Sequence, residues 1–137
     1  MKVAVRYFSK SKKGNTKKLA EAVSKVTGIE ALDVSHDLTE KVDRLILINA
    51  MYAANIDGEV VRFLEKNKDR IGLIVNMNTS ASGSSTLKAV KKAACPLGIS
   101  VSEREFHCAA SWIFINKGLP SEADLARAGE FAKSFTE

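Results

Sequence analysis

The sequence predicts an α/β fold, a parallel sheet with helices packed on both faces. Three observations carry that prediction. Segments rich in β-branched and aliphatic residues alternate with segments of helical periodicity along the whole chain. The strand segments Arg44–Asn49 (RLILIN) and Ile71–Asn78 (IGLIVNMN) are apolar runs of the kind found where a strand is covered on both faces. The alternating order itself calls for helical crossovers between parallel strands. At 137 residues the chain suits a single domain, residues 1–137, with no repeat, low-complexity segment or linker.

Taken in order, Val3–Phe8 (VAVRYF) is β-branched and aromatic and reads as the first strand. Asn15 or Thr16 can cap the helix that follows, where Leu19, Val23 and Val26 recur at helical spacing and Gly28 supplies a stop. Ile29–Val34 (IEALDV) alternates like a half-covered strand. The link Ser35–Asp43 is short for a full helix and has room for only a turn or two before Arg44–Asn49. From Gly58 a helix carries Val60, Val61, Phe63 and Leu64 inward and fades in EKNKDR, ahead of Ile71–Asn78. SSTLKAVKKAA forms a third helix with Leu87, Val90 and Ala94 inward, ended near Pro96 and Gly98. Ile99–Cys108 (ISVSEREFHC) is a weaker strand whose charges suit a sheet edge. The last helix opens on Ser121 with Asp124 three residues on, a capping box, and turns Leu125, Ala128, Phe131, Ala132 and Phe135 inward.

An apolar fraction of 45% and a charged fraction of 27% are ordinary for a globular protein. No apolar window is long enough to span a bilayer, and MKVAVRYFSKSKK is too short and too charged for a signal peptide, so a cytoplasmic protein is expected. Cys95 and Cys108 suit reduced thiols, and no spacing of metal ligands is present. The net charge of +5 is uneven. Residues 1–25 hold eight basic residues against Glu21 alone, a local excess of +7 that points to an anionic ligand or partner.

In such a fold ligands sit beyond the carboxyl ends of the strands, near the reversal of strand order, so three loops matter before any motif is read. They are Ser9–Asn15, Ala50–Asp57 and Asn78–Ser84; a fourth, after Cys108, is expected farther off. The first ends at a helix N-terminus, where backbone N–H groups and the helix dipole favour an anion. Ser9, Ser11, Asn15 and Thr16 add short donors, Gly14 permits close approach, and Lys17 and Lys18 stand in a first turn where positive charge is unfavourable unless an anion offsets it. The other reading is a solvated lysine-rich turn with ordinary caps. The second loop places Met51 and Tyr52 at a strand end, suited to stacking on a flat ring or to packing over the sheet edge. The third, NMNTSASGSS, can wrap a polar ring edge, or serve as a flexible loop with Ser84 or Ser85 capping the next helix. Pooled, a phosphate clamp, a stacking platform and a polar ring-edge loop on one rim make up a mononucleotide site.

YFSKSKKGNTKKLAEAV resembles the phosphate-binding signature of the flavodoxin family, Y-x-S-x-T-G-N-T-x-x-x-A, with GNTKKLAEAV its most specific part. MYAANIDGEVVRFLEKN is similar to the family's second flavin loop and following helix, and NKGLPSEADLARAGEFAK to the approach to its terminal helix, so the resemblance runs over nearly the whole chain. It implies a flavodoxin-like three-layer sandwich with a five-stranded parallel sheet in the order 2-1-3-4-5 and FMN bound non-covalently at the switch point. By that resemblance Ser9, Ser11, Gly14, Asn15 and Thr16 hold the phosphate. Met51 and Tyr52, followed by Ala53, flank the isoalloxazine, and the stretch from Asn78 through Thr79, Ser80 and Ser82 to Gly83 faces its pyrimidine end. The flavin carries the chemistry and no catalytic side chain is required. The implied role is an electron-transfer flavoprotein or a small FMN-dependent oxidoreductase, with donor and acceptor unidentified.

The chain departs from the family pattern in four ways. Lys10, Ser11, Lys12 and Lys13 separate Ser9 from Gly14 where the family has two residues, and Lys12 and Lys13 can grip the phosphate or another anion. Ala53 and Ala54 follow Tyr52 where electron-carrying members often have glycine. The chain is basic where such carriers are typically acidic. The third loop has no aromatic residue; Trp112 is a candidate second stacking residue or, equally, packing.

Other classes fit less well. A receiver domain needs acidic residues where Phe8–Ser9 and Asn49–Ala50 stand, a small phosphatase needs a cysteine after the first strand, and a dinucleotide fold needs G-x-G-x-x-G there. No aromatics interleave with the loop lysines as nucleic-acid binding would want, and His36 and His107 are isolated. The remaining alternative is a flavodoxin-like module without redox activity, holding another phosphate-bearing ligand or none.

Overall fold

The computed structural model describes residues 1–10, 14–111 and 116–137. Among the described residues six strands and four α-helices follow in the order β1 (Val3–Tyr7), α1 (Asn15–Thr27), β2 (Ala31–Asp33), β3 (Val42–Ala50), α2 (Gly58–Asn67), β4 (Ile71–Ser80), α3 (Leu87–Ala94), β5 (Ser100–Val101), β6 (Phe106–Ala109) and α4 (Glu122–Lys133). The pairings between these strands are parallel, in the order β2-β1-β3-β4-β5, with β6 also paired to β4. This is the expected 2-1-3-4-5 order. Among the described residues no helix is long and apolar enough to cross a membrane.

The expected fifth strand, Ile99–Cys108, is corrected to two short strands on one neighbour. Leu73 and Ile74 pair with Ser100 and Val101, and the pairing resumes at Met77 with Phe106. Residues 102–105 therefore run opposite Val75 and Asn76 alone, and the surplus bows outward. The three charged residues of that stretch find partners away from the ladder. Glu103 pairs with Lys91, Arg104 lies over the rings of Phe131 and Phe135, and Glu105 accepts from Ser85.

Two apolar layers flank the sheet. Leu45, Leu47, Ile74 and Val90 join Val60, Phe63 and Leu64 under α2 and α3. Val5, Ile46, Ile48, Val75 and Met77 meet Leu19, Val23, Ala128 and Ala132 under α1 and α4. Gly28 ends α1 in the left-handed conformation (φ 74°), and the expected capping box opens α4 at Ser121.

The link between β2 and β3 contains no helix, because a side chain takes the helix's place. Arg6 points to the same sheet face as Ala4 and Phe8 and is 8% exposed. Its Nε donates to His36 O at 2.9 Å and its Nη2 to Asp37 O at 3.3 Å. Asn67, at the end of α2, accepts from Leu38 N at 2.9 Å and donates to Asp37 Oδ1. The link thus lies flat across the sheet, fastened at both sides. Arg6→Met is expected to lower stability by about 1–2 kcal/mol, the carbonyls it releases being close enough to the surface to rehydrate. Urea unfolding measures the loss, and amide exchange should quicken between residues 35 and 41. Unchanged exchange there would show that Arg6 does not hold the link.

Candidate functional site

Beyond the carboxyl ends of the central strands lies a cavity of about 540 Å³. Four loops wall it: Ser9, Lys10 and Gly14–Thr16 from the first, Ala50–Ala53 from the second, Thr79–Ala81 from the third, and Ala110 and Ser111 from the fourth. Ser9, Gly14, Asn15, Thr16, Met51, Tyr52, Ala53, Thr79 and Ser80 are thus brought together as expected. Ser11, Lys12 and Lys13, and Trp112, lie outside the described residues.

At the first wall α1 begins on a residue that has no side chain to cap it. Its N-cap is Gly14 rather than Asn15 or Thr16, and its first turn contains no acidic residue. The other helix starts are served from within the protein. Asp57 accepts from Glu59 N at the head of α2, Ser85 Oγ from Leu87 N at α3, and Ser121 from Asp124 N at α4. Asn15 and Thr16 are instead the first two helical residues, and their side chains reach across the cavity floor. Asn15 Nδ2 lies 3.0 Å from both Ser111 O and Ser111 Oγ. Thr16 Oγ1 lies 3.0 Å from Thr79 Oγ1.

The second loop is a tight turn closed from Tyr52 N to Asn55 O at 2.7 Å and from Asn55 N to Tyr52 O at 2.9 Å. Its central residues, Ala53 and Ala54, have φ of 50° and 62°, the primed-turn conformation that glycine and asparagine adopt more readily. Lys10 spans the gap between the first two loops. Its Nζ lies 4.2 Å from the centroid of the Tyr52 ring and 3.7 Å from Asp57 Oδ2. Burial pushes the Tyr52 phenol above its ordinary pKa, Asp57 adds to the rise, and a hydrogen bond with the Lys10 backbone opposes it, so Tyr52 is neutral at physiological pH. Among the described residues Lys10 is the only charged side chain lining the cavity.

The third loop departs from expectation at three residues. Asn78, Ser82 and Gly83 do not line the cavity. Asn78 is fully buried on the α3 side of the sheet, where its Oδ1 accepts from Thr86 N at 3.0 Å and its Nδ2 donates to Ser84 O at 2.9 Å. Ser82 Oγ donates to Ser84 Oγ, and Gly83 O accepts from His107 Nδ1 at 2.7 Å. These bonds shape the loop from behind and leave Thr79, Ser80 and Ala81 facing inward.

Lys10, Ala50, Ala81, Ala110 and Ser111 join the site from outside the expected set. Three are alanines, whose small side chains leave the space open and whose only signal in a sequence is their place at a strand end. Ser111 belongs to the fourth loop, which is nearer than expected because β6 carries it there. Ala109 pairs with Ser80, and Ala110 N donates to Ser80 O at 2.9 Å. Burial and the nearby Asp124 push the Cys108 thiol up to about 11, so it stays protonated at neutral pH and offers no nucleophile.

This chain superposes over almost its full length on a solved archaeal flavodoxin, 14% identical, at a TM-score of 0.74, the match covering 98% of this chain and 95% of that one. The fold is flavodoxin-like. A flavodoxin of Fusobacterium nucleatum solved with flavin mononucleotide matches the same fold at 11% identity and a TM-score of 0.66, over 99% of this chain and 98% of that one. So does an NAD(P)H:quinone oxidoreductase from Methanothermobacter marburgensis, at 11% identity and a TM-score of 0.64, over 98% and 96% of the two chains. No protein-family model and no curated protein matches the sequence. In this flavodoxin-like frame the cavity lies where the order turns from β1 to β3, the switch point at which open α/β sheets receive ligands.

Proposed function

We propose that the chain is an FMN-binding redox protein, with the cavity as its flavin site. The observation that carries this reading is the start of α1: a helix N-terminus with glycine as its N-cap and no acidic residue in its first turn, opening into a cavity that also holds Tyr52. The residues present fit the group. The backbone around Gly14, with the side chains of Asn15 and Thr16, offers donors to a phosphate. Met51 and Tyr52 offer an apolar and aromatic flank for the ring, and no described carboxylate lines the cavity to repel an anion. Bound FMN supplies one- and two-electron transfer. The protein's part is to bind, orient and shield, since no carboxylate, imidazole or thiol stands among the described lining residues.

Titration of the purified chain with FMN tests the proposal. Saturable quenching of flavin fluorescence at micromolar concentrations, with a shift of the flavin absorbance bands, is the expected result. A chain that leaves both signals unchanged at those concentrations does not have this function.

A further inference from the structure

The residue below the phosphate end of the cavity is Thr79, placed by the resemblance at the opposite, ring-edge end. Thr79 and Thr16 are each 3% exposed, both line the cavity, and their hydroxyl oxygens lie 3.0 Å apart. A hydroxyl pair has two protons, and the bond between them uses one. Two arrangements are possible. If Thr16 donates, the remaining proton is on Thr79, which stands on β4 and not on the helix. If Thr79 donates, the remaining proton is on Thr16, the second residue of α1, beside the backbone N–H groups of the first turn.

An anion at the helix start selects the second arrangement, because Thr16 then points a proton at negative charge. The chain Thr79 O–H to Thr16 O–H to anion is polarised in one direction, each bond strengthening the next. Thr79 is also fixed by its backbone. Its carbonyl accepts from Met51 N at 3.1 Å, and its register partners are Ala50 on one side and Cys108 on the other. One residue thus bonds to the first loop through its side chain and to the second through its main chain.

We propose that Thr79 is a positioning residue that sets the preference of the site for phosphorylated over unphosphorylated flavin, by donating to Thr16 and so committing the Thr16 proton to the phosphate. This rests on the FMN reading, and the test separates the two. Dissociation constants for FMN and for riboflavin are measured by fluorescence quenching on the wild-type chain, Thr79→Val and Thr79→Ser, with thermal unfolding alongside. Thr79→Val is expected to weaken FMN about tenfold while leaving riboflavin within about twofold, and Thr79→Ser to restore FMN to within about twofold of wild type.

A structural role alone would lower the melting temperature and affect both ligands alike. An unchanged FMN-to-riboflavin ratio in Thr79→Val, or a failure of Thr79→Ser to restore it, overturns the proposal while the FMN reading stands. A wild-type chain that binds neither flavin overturns both. If Thr79→Val does not fold, Thr79→Cys, with a weaker donor of similar size, reads the same ratio and is expected to fall between valine and wild type.

Discussion

Replacing Asn76 with leucine should lower the free energy of unfolding by about 3 kcal/mol, the largest stability effect expected of any change near the site. Asn76 belongs to a closed ring of hydrogen bonds between the sheet and α3. Asn49 Nδ2 donates to Asn76 Oδ1 at 2.7 Å, Asn76 Nδ2 to Thr86 Oγ1 at 3.0 Å, and Thr86 Oγ1 to Asn49 Oδ1 at 2.7 Å. All three residues are buried, so water cannot replace a lost partner. Leucine keeps the branched shape but is bulkier, so some overpacking adds to the main loss, which comes from polarity: the Asn49 amide loses its 2.7 Å acceptor and the Thr86 oxygen its donor. Urea denaturation of Asn76→Leu measures the effect, and a loss below about 0.5 kcal/mol would show that the ring contributes little. The combined variant Asn49→Leu, Asn76→Leu, Thr86→Val removes every member and should recover part of the loss. Flavin affinity should fall as well, because Thr86 N, held by Asn78, anchors the far end of the third loop.

Thr16→Ala should weaken FMN by about 10- to 100-fold, the range expected when one hydrogen bond to a charged group is removed, with riboflavin nearly unchanged. Parallel fluorescence titrations with the two flavins decide it, and an equal loss for both would remove Thr16 from the phosphate end. The hydroxyl pair adds a condition. Once Thr16 is alanine, Thr79 has lost this acceptor, so Thr16→Ala with Thr79→Val should bind FMN no worse than Thr16→Ala alone.

What could be read ahead of the structure, and what could not, divides along the range of the interaction. Gly28, the Ser121–Asp124 box and the apolar strands β3 and β4 are local features, written within a few residues of where they act. The strand order required the flavodoxin resemblance. From its length the link was expected to hold a turn or two of helix; that it holds none, because an arginine in a buried strand bonds to carbonyls 30 and 31 residues away, has no local signature. The fifth strand read as continuous because charge in a strand signals an edge and does not reveal a surplus of residues against the neighbour. Ser9, Asn15, Thr16, Thr79 and Ser80 do line one cavity, yet the partners of Asn15 and Thr16 were hidden. Asn15 meets Ser111 across 96 positions and Thr16 meets Thr79 across 63. Asn78 shows the converse: an asparagine at a strand end looks like a ligand group until the helix needing its amide is placed beside it.

The turn at Ala53 and Ala54 is a point of local frustration. Each alanine held at positive φ costs about 1 kcal/mol relative to its own preference, so the segment Tyr52–Asn55 would not choose this shape in isolation. Two main-chain bonds between Tyr52 and Asn55 close the turn itself, and the surrounding scaffold holds it in place through the attachment of Met51 to Thr79. The contour of the cavity at Tyr52 is therefore inherited from the sheet beneath. Transplanting these four residues to another framework would not carry that contour with them, whereas changes deep in β4 would reshape it without altering a residue of the loop.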